Sequence, residues 1–465
     1  MDLSFLTAAE LARAYESGVT SPVEATRALL DRIAAHDGAL RSFILVTADV
    51  ALMQAAAAER ELAAGKRRGP LHGVPYALKD IIETAGIATT GHSKVRQDYV
   101  PAKDAEVARR LKAAGAVLVG KLATWEFSHG GPSFDLPWPP ARNPWNTDYL
   151  PGGSSSGAGA AVAAGFVPFA IGTDTGGSVR GPAAFCGLAG LKPTYGRVSR
   201  RGVFSNTFTM DHCGPLTRSA EDVAAVMAAI AGHDPDDPST EDVPVPDYLA
   251  ELGRGIAGLR IGLVEGWHTG PGAHPDLAGA IDAAVVVLER LGARIEPVRL
   301  SSLREYTDCK SIISAVEHFA IHAEEFRARP HDFGRIFRNR VLPGAIIRGE
   351  DYVQALRWRT VLSREQAVAL KRVDAFLTAG SLTVADRANP EAVAADRFAF
   401  GVSVTQPFSI SGVPALTIPC GFSRAEGLPL SLQIAAGPMQ DATVLRIAHA
   451  YQQETDWHRR HPVLA

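Results

Sequence analysis

At 465 residues, 46% of them hydrophobic, the chain can bury a large core and is long enough for two or three domains or one large α/β unit. Lysine and arginine number 47 against 50 aspartates and glutamates, so no cationic excess is present to grip a phosphate backbone or an anionic membrane, and neither nucleic acid nor membrane is an expected partner. The N-terminus lacks the charged start and long apolar core of a signal peptide, and no apolar run is long enough to span a bilayer, so a soluble cytoplasmic protein is expected. Cys186, Cys213, Cys309 and Cys420 are widely separated with no C-x-x-C pair, which signals neither a disulfide framework nor a zinc knuckle.

Ser21-Pro-Val-Glu24 is a capping box with proline at the first helical position, and Ala25, Leu29, Leu30 and Ile33 follow at helical spacing. Residues 105–114 read as a helix ended by Gly115, and 116–120 as a short buried strand. The small residues of 155–164 form a helix, followed by a strand over 166–171. The alternation returns as strand 259–264, helix 277–291 and strand 293–298, the signature of an α/β fold around a parallel or mixed sheet. Residues 232–247, acidic and rich in proline, read as an exposed connection between halves, and 300–360 as a charged helical region inserted over one face.

Three segments carry the chemistry. Lys79 ends the apolar run that begins at Gly73, and a lysine drawn into low dielectric loses its proton more easily and becomes a usable base. Asp80 points to the opposite face. From Ser154 to Ser178 is 24 residues. A helix of about ten residues advances ~15 Å and a strand of about six or seven returns ~20 Å, which brings the two hydroxyls together. Gly176 and Gly177 precede Ser178, so the N–H groups around Thr175, Gly176 and Gly177 can converge on an anionic oxygen.

The run Pro151-Gly-Gly-Ser-Ser-Ser-Gly157, the segment Gly172-Thr-Asp-Thr-Gly-Gly-Ser178 and the stretch from Gly73 to Asp80 closely resemble the amidase signature family, and the resemblance extends to Ser411–Gly421 and Gly427–Ile434. It implies a single domain over 1–465, with a motif core in about 70–220 and a helical, pocket-covering insertion over about 300–400, on an α/β fold with a large mixed twisted sheet covered by helices on both faces. Carried over by residue, it implies Ser178 as nucleophile, Ser154 as the bridging serine with a cis peptide bond, and Lys79 as base. No metal or organic cofactor is implied. The chain is read as a stand-alone bacterial amidase acting through an acyl-enzyme on an aryl or alkyl amide, with carbamates and esters sharing the chemistry. Its expected partner is that small molecule alone, with homodimerisation left open. Trp125, Phe127, His129, Gly130 and Gly131 are the expected acyl-pocket residues, with Phe134 and Trp138 as further apolar walls.

Three alternatives stand beside this reading. The glutaminase subunit of a tRNA-dependent amidotransferase would use the same catalytic residues, but Phe400–Pro407 has no acid to hold the glutamine amino group. Gly153-Ser-Ser-Ser-Gly157 also fits G-x-S-x-G with Ser155 as nucleophile, but the preceding residues 143–151 read as loop where that elbow needs a strand. His318 and His322 share a helical face as a zinc pair would, without a third ligand, and a partly exposed helix face is preferred.

Overall fold

The computed structural model describes residues 3–391 and 401–464. Its elements in chain order are α1 (Ala8–Glu16), α2 (Pro22–Leu40), β1 (Phe43–Val46), α3 (Ala48–Ala63), β2 (Pro75–Lys79), α4 (Glu106–Ala113), β3 (Val117–Leu122), α5 (Ser156–Ala163), β4 (Phe169–Asp174), α6 (Arg180–Cys186), β5 (Ala189–Lys192), β6 (His212–Thr217) and α7 (Ala220–Ile230). They continue with α8 (Tyr248–Leu252), β7 (Arg260–Val264), α9 (Leu277–Arg290), β8 (Arg294–Val298), α10 (Leu303–Ala328), α11 (Arg335–Val341), α12 (Gly349–Ala369), β9 (Ala375–Ala379), α13 (Gln406–Ser411), β10 (Ala415–Phe422), β11 (Pro429–Ala436) and α14 (Asp441–Glu454).

Among the described residues, the strands join one 11-stranded mixed sheet in the order β1-β3-β2-β4-β6-β5-β10-β11-β9-β7-β8. β2 lies parallel to both β3 and β4, and β7 lies parallel to β8 and β9, while the central pairs are antiparallel. The strand period of two sorts side chains to opposite faces. Tyr76, Leu78, Leu118, Phe169 and Ile171 pack with α4, α7, α9 and α14 on one side. Ala77, Val119 and Ala170 pack with α2, α5 and α6 on the other.

The capping box at Ser21 is formed, with Glu24 N–H donating to Ser21 Oγ at 3.3 Å and Ser21 N–H donating to Glu24 Oε2 at 3.1 Å. Where expectation and structure differ, tertiary context is the reason. The strand expected over 166–171 begins at Phe169, directly after Pro168, which has no N–H for the ladder. The acidic connection 232–247 is not simply exposed: Asp234 and Asp237 are buried and accept from Ser199 Oγ at 2.7 and 3.2 Å. The region 300–391 supplies three helices but also β9, which sits inside the sheet between β11 and β7, so that stretch is more than a helical cover. The end of the expected insertion, 392–400, lies outside the described residues.

Phe169 is fully buried and stacks on Tyr76 with ring centroids 5.3 Å apart. Phe169→Ala is expected to lower stability by about 3–5 kcal/mol, read as a shift of the chemical-denaturation midpoint.

Candidate active site

Lys79 is the last residue of β2, and its side chain is fully buried. Its Nζ donates to Ser154 Oγ at 2.6 Å and to Thr173 Oγ1 at 2.8 Å. Burial brings its pKa down to about 7, an effect only partly opposed by the negative charges of Asp174 and Asp211. Asp80 is turned away and pairs with Lys121 at 3.3 Å, which leaves the Lys79 amine contacting hydroxyls rather than a carboxylate.

The Gly153–Ser154 peptide bond is cis. Gly153 is required here because a Cβ would run into the Trp125 indole, and Trp125 N–H donates to the Ser154 carbonyl at 3.1 Å. Ser155 N–H donates to the Ser178 carbonyl at 3.2 Å, so the residues that lead into α5 and α6 bring the two serine segments together as their separation in sequence suggests. Ser155 itself is sealed in the core, with its Oγ donating to the Thr173 carbonyl at 3.2 Å, and the elbow reading with Ser155 as nucleophile is set aside.

Asp174 organises the loop before Ser178. Its carboxylate accepts from the N–H groups of Gly177 at 2.8 Å, Val179 at 3.2 Å and Arg180 at 3.3 Å, and from Arg180 Nε and Nη2 at 2.9 Å each. Burial raises its pKa, but the Arg180 charge and hydrogen bonds outweigh that and hold it well below the usual carboxylate range. Gly177 N–H is therefore turned onto Asp174, a correction to its expected place among the oxyanion donors. Gly177 keeps φ at +127°, where a side chain would meet Thr405, and Thr405 Oγ1 donates to the Gly176 carbonyl at 2.7 Å.

Ser178 is half-buried and lines a cavity of about 920 Å³, together with Thr175, Gly176, Gly177, Trp125, His129, Gly130 and Gly131. Phe127, Phe134 and Trp138 do not line it. Phe127 packs among Phe204, His322, Phe333 and Phe337, because its left-handed backbone (φ 44°) turns the ring into that cluster. His129 stacks on His318 with centroids 3.9 Å apart, and burial drives its pKa to about 3, so the imidazole is neutral. His318 and His322 are buried beside it rather than on a partly exposed face, and no group of three metal-ligating side chains occurs among the described residues.

The same cavity holds residues that sequence reasoning missed: Lys310 from α10, Arg340 from α11, Thr405, and Asp386 at the exposed rim. A signal for Lys310 was present, since it shares a helical face with Tyr306, Ile313, Ser314 and Glu317, all of them buried. Asp386 gave none, because nothing local places a loop acid at the mouth of a distant site.

A family model for Amidase matches residues 24–445. The chain is 41% identical to a glutamyl-tRNA(Gln) amidotransferase subunit of Moorella thermoacetica, covering 100% of this chain and 99% of the relative, and other curated relatives carry the same name. Among solved structures it resembles a chain reported as part of an unexpected vestigial protein complex that reveals the evolutionary origins of an s-triazine catabolic enzyme, with 33% identity, TM-score 0.90 and coverage of 97% and 98%. It also resembles the peptide amidase PAM in complex with chymostatin, with 32% identity, TM-score 0.86 and coverage of 98% and 99%. These names overturn the expected partner set of a small amide or carbamate without nucleic acid, in which a homodimer was the only assembly left open, because the relatives are named as subunits of an enzyme named for a tRNA. A net charge near neutrality describes one chain's own surface and carries no information about an assembly. No helix among the described residues is long and apolar enough to cross a membrane. With the family model spanning most of its length and relatives matched end to end, the chain belongs to the amidase signature family.

Proposed function

We propose that the chain is the glutaminase subunit of a tRNA-dependent amidotransferase, releasing ammonia from the side-chain amide of glutamine through a Ser178 acyl-enzyme. The observation that carries the chemistry is the buried Lys79 amine within 2.6 Å of Ser154 Oγ, beneath a cavity that Ser178 lines. The names and full-length match of the curated relatives support the amidotransferase setting. The objection from the acid-free stretch 400–407 is weakened by Asp386, which reaches the cavity rim from elsewhere in the chain and offers a carboxylate to an α-ammonium group.

In this reading the deprotonated Lys79 amine takes a proton from Ser154 Oγ, Ser154 takes one from Ser178, and Ser178 Oγ attacks the amide carbon. The oxyanion forms against the N–H groups of Thr175, Gly176 and Ser178, the Gly177 N–H being held by Asp174. The proton returns along the same route to the leaving nitrogen, and ammonia departs. Water activated by the same relay then cleaves the ester, yielding glutamate and restoring the Ser178 hydroxyl.

Ser178→Ala is expected to abolish turnover with binding retained, and Ser154→Ala and Lys79→Ala each to lower kcat by about 10²–10⁴; near-normal kcat in Ser178→Ala overturns the assignment. Because the base must be unprotonated and its pKa lies at about 7, kcat/KM should rise about tenfold per pH unit below that value and flatten above it. A profile flat from pH 5 to 9 would exclude Lys79 as the base. The setting is tested by copurifying partner chains with the tagged protein and following the glutamine amide nitrogen into glutamyl-tRNA(Gln). An assembly that prefers aryl or alkyl amides and never transfers nitrogen to tRNA overturns it in favour of free amide hydrolysis.

A further inference from the structure

Two cavities meet at the strip of chain that leads to the nucleophile. The second, of about 230 Å³, is lined by Thr173, Asp211, His212 and Cys213 among others, and Asn206 lines both it and the catalytic cavity. Its arginines are committed to the fold: Arg200 donates to the Phe208 carbonyl at 2.6 Å and to Tyr195 Oη at 2.9 Å, and Arg201 to Glu106 at 2.7 Å and Asp234 at 2.8 Å. This cavity is the back of the strip. β4 ends at Asp174, so the chain passes from Thr173 on the second cavity to Thr175, Gly176 and Ser178 on the first. β6 begins at His212 and runs antiparallel to β4, with Asp174 opposite His212. Continued by one residue, that register sets Asp211 opposite Thr175.

The two residues are joined there. Thr175 Oγ1 donates to the Asp211 carboxylate at 2.6 Å. The same carboxylate accepts from Ser205 Oγ at 2.9 Å, from Asn206 N–H at 2.9 Å and from Thr207 N–H at 3.0 Å, all in the turn before β6. Thr207 Oγ1 and Ser314 Oγ of α10 share a hydrogen bond at 2.8 Å, so that turn is itself held against a helix. A carboxylate satisfied by several donors is fixed in orientation, and it fixes the hydroxyl that it grips. Asp174 does the same two residues further on, through Gly177 N–H at 2.8 Å. The strip is therefore pinned at Thr175 by Asp211 and at Gly177 by Asp174, with Gly176 between them.

We propose that Asp211 is a positioning residue of amide cleavage: from the second cavity it grips the Thr175 hydroxyl and so aims the first N–H groups of the strip at the oxygen that turns negative in the transition state. This rests on Ser178 being the nucleophile and adds a group that acts through Thr175 and stands outside the catalytic cavity. Loosening a donor that matters in the transition state costs rate rather than substrate binding, so the effect falls on kcat and not on KM.

The test is a double-mutant cycle on the full chain, with any partner chains that copurify. It follows ammonia released from L-glutamine and p-nitroaniline released from p-nitroacetanilide, so that the outcome does not hang on which amide is native. Asp211→Ala and Thr175→Val are each expected to lower kcat by about 10- to 100-fold with KM changed less than about threefold. Combined, they are expected to cost less than about threefold beyond Thr175→Val alone, because the grip is already gone. Thr175→Ser, which keeps the hydroxyl, is expected to recover most of the rate. Near-native kcat in Asp211→Ala overturns the proposal, as does a loss carried by KM, full additivity of the two substitutions, or a Thr175→Ser variant as slow as Thr175→Val. Asp211→Asn, judged by the same cycle, replaces Asp211→Ala if thermal melting shows that variant to be unfolded. Failure of the nucleophile assignment appears separately, as turnover persisting in Ser178→Ala, and overturns this proposal with it.

Discussion

The buried ion pair between Asp174 and Arg180 is the constraint on which the site depends. A carboxylate stripped of water is costly unless each of its lone pairs is occupied, and here three backbone N–H groups and a bidentate guanidinium occupy them. The same guanidinium extends to the Thr405 carbonyl at 2.7 Å, Gln433 Oε1 at 2.9 Å and Ser409 Oγ at 2.8 Å. One ion pair thus sets the curvature of the loop carrying Ser178 and ties that loop to α13 and β11. Hydrophobic replacements of such pairs can match them in stability, but none would orient consecutive amides.

Four lysines are buried among the described residues, and they meet the cost of desolvation in different ways. Lys121 has Asp80 at 3.3 Å. Lys192 donates to the carbonyls of Pro193 and Val413 at 3.0 and 2.7 Å. Lys310 stands on the wall of an open cavity. Among the described residues, Lys79 has only hydroxyl acceptors at hydrogen-bond distance, and hydroxyls can exchange roles with an amine, as the proposed proton relay requires. Under the proposed mechanism, burial together with reversible partners is what suits Lys79 to act as the base.

Much of this was legible in local pattern. Lys79 at the end of an apolar strand, glycines framing two serines, and the helix and strand between them are features of neighbouring residues, and their placement follows from residue type and spacing. The helix from Pro22 was likewise readable, because a capping box is a local hydrogen-bond arrangement. What escaped depends on contacts between distant segments. The 232–247 stretch is acidic and rich in proline, yet Ser199 and Arg201 bury two of its aspartates. Phe127 has the composition of a pocket wall, yet a left-handed backbone turns it into an aromatic cluster. Lys310 and Asp386 belong to the site only because α10 and the loop after β9 fold across it.

The sheet order bears on when the molecule acquires its chemistry during synthesis. The amine and both hydroxyls are encoded before residue 179, but the groups that hold Arg180 come from Thr405, Ser409 and Gln433, and β5 takes its outer neighbour from β10. The loop that leads to Ser178 therefore lacks these anchors until residues 405–433 have been added to the chain.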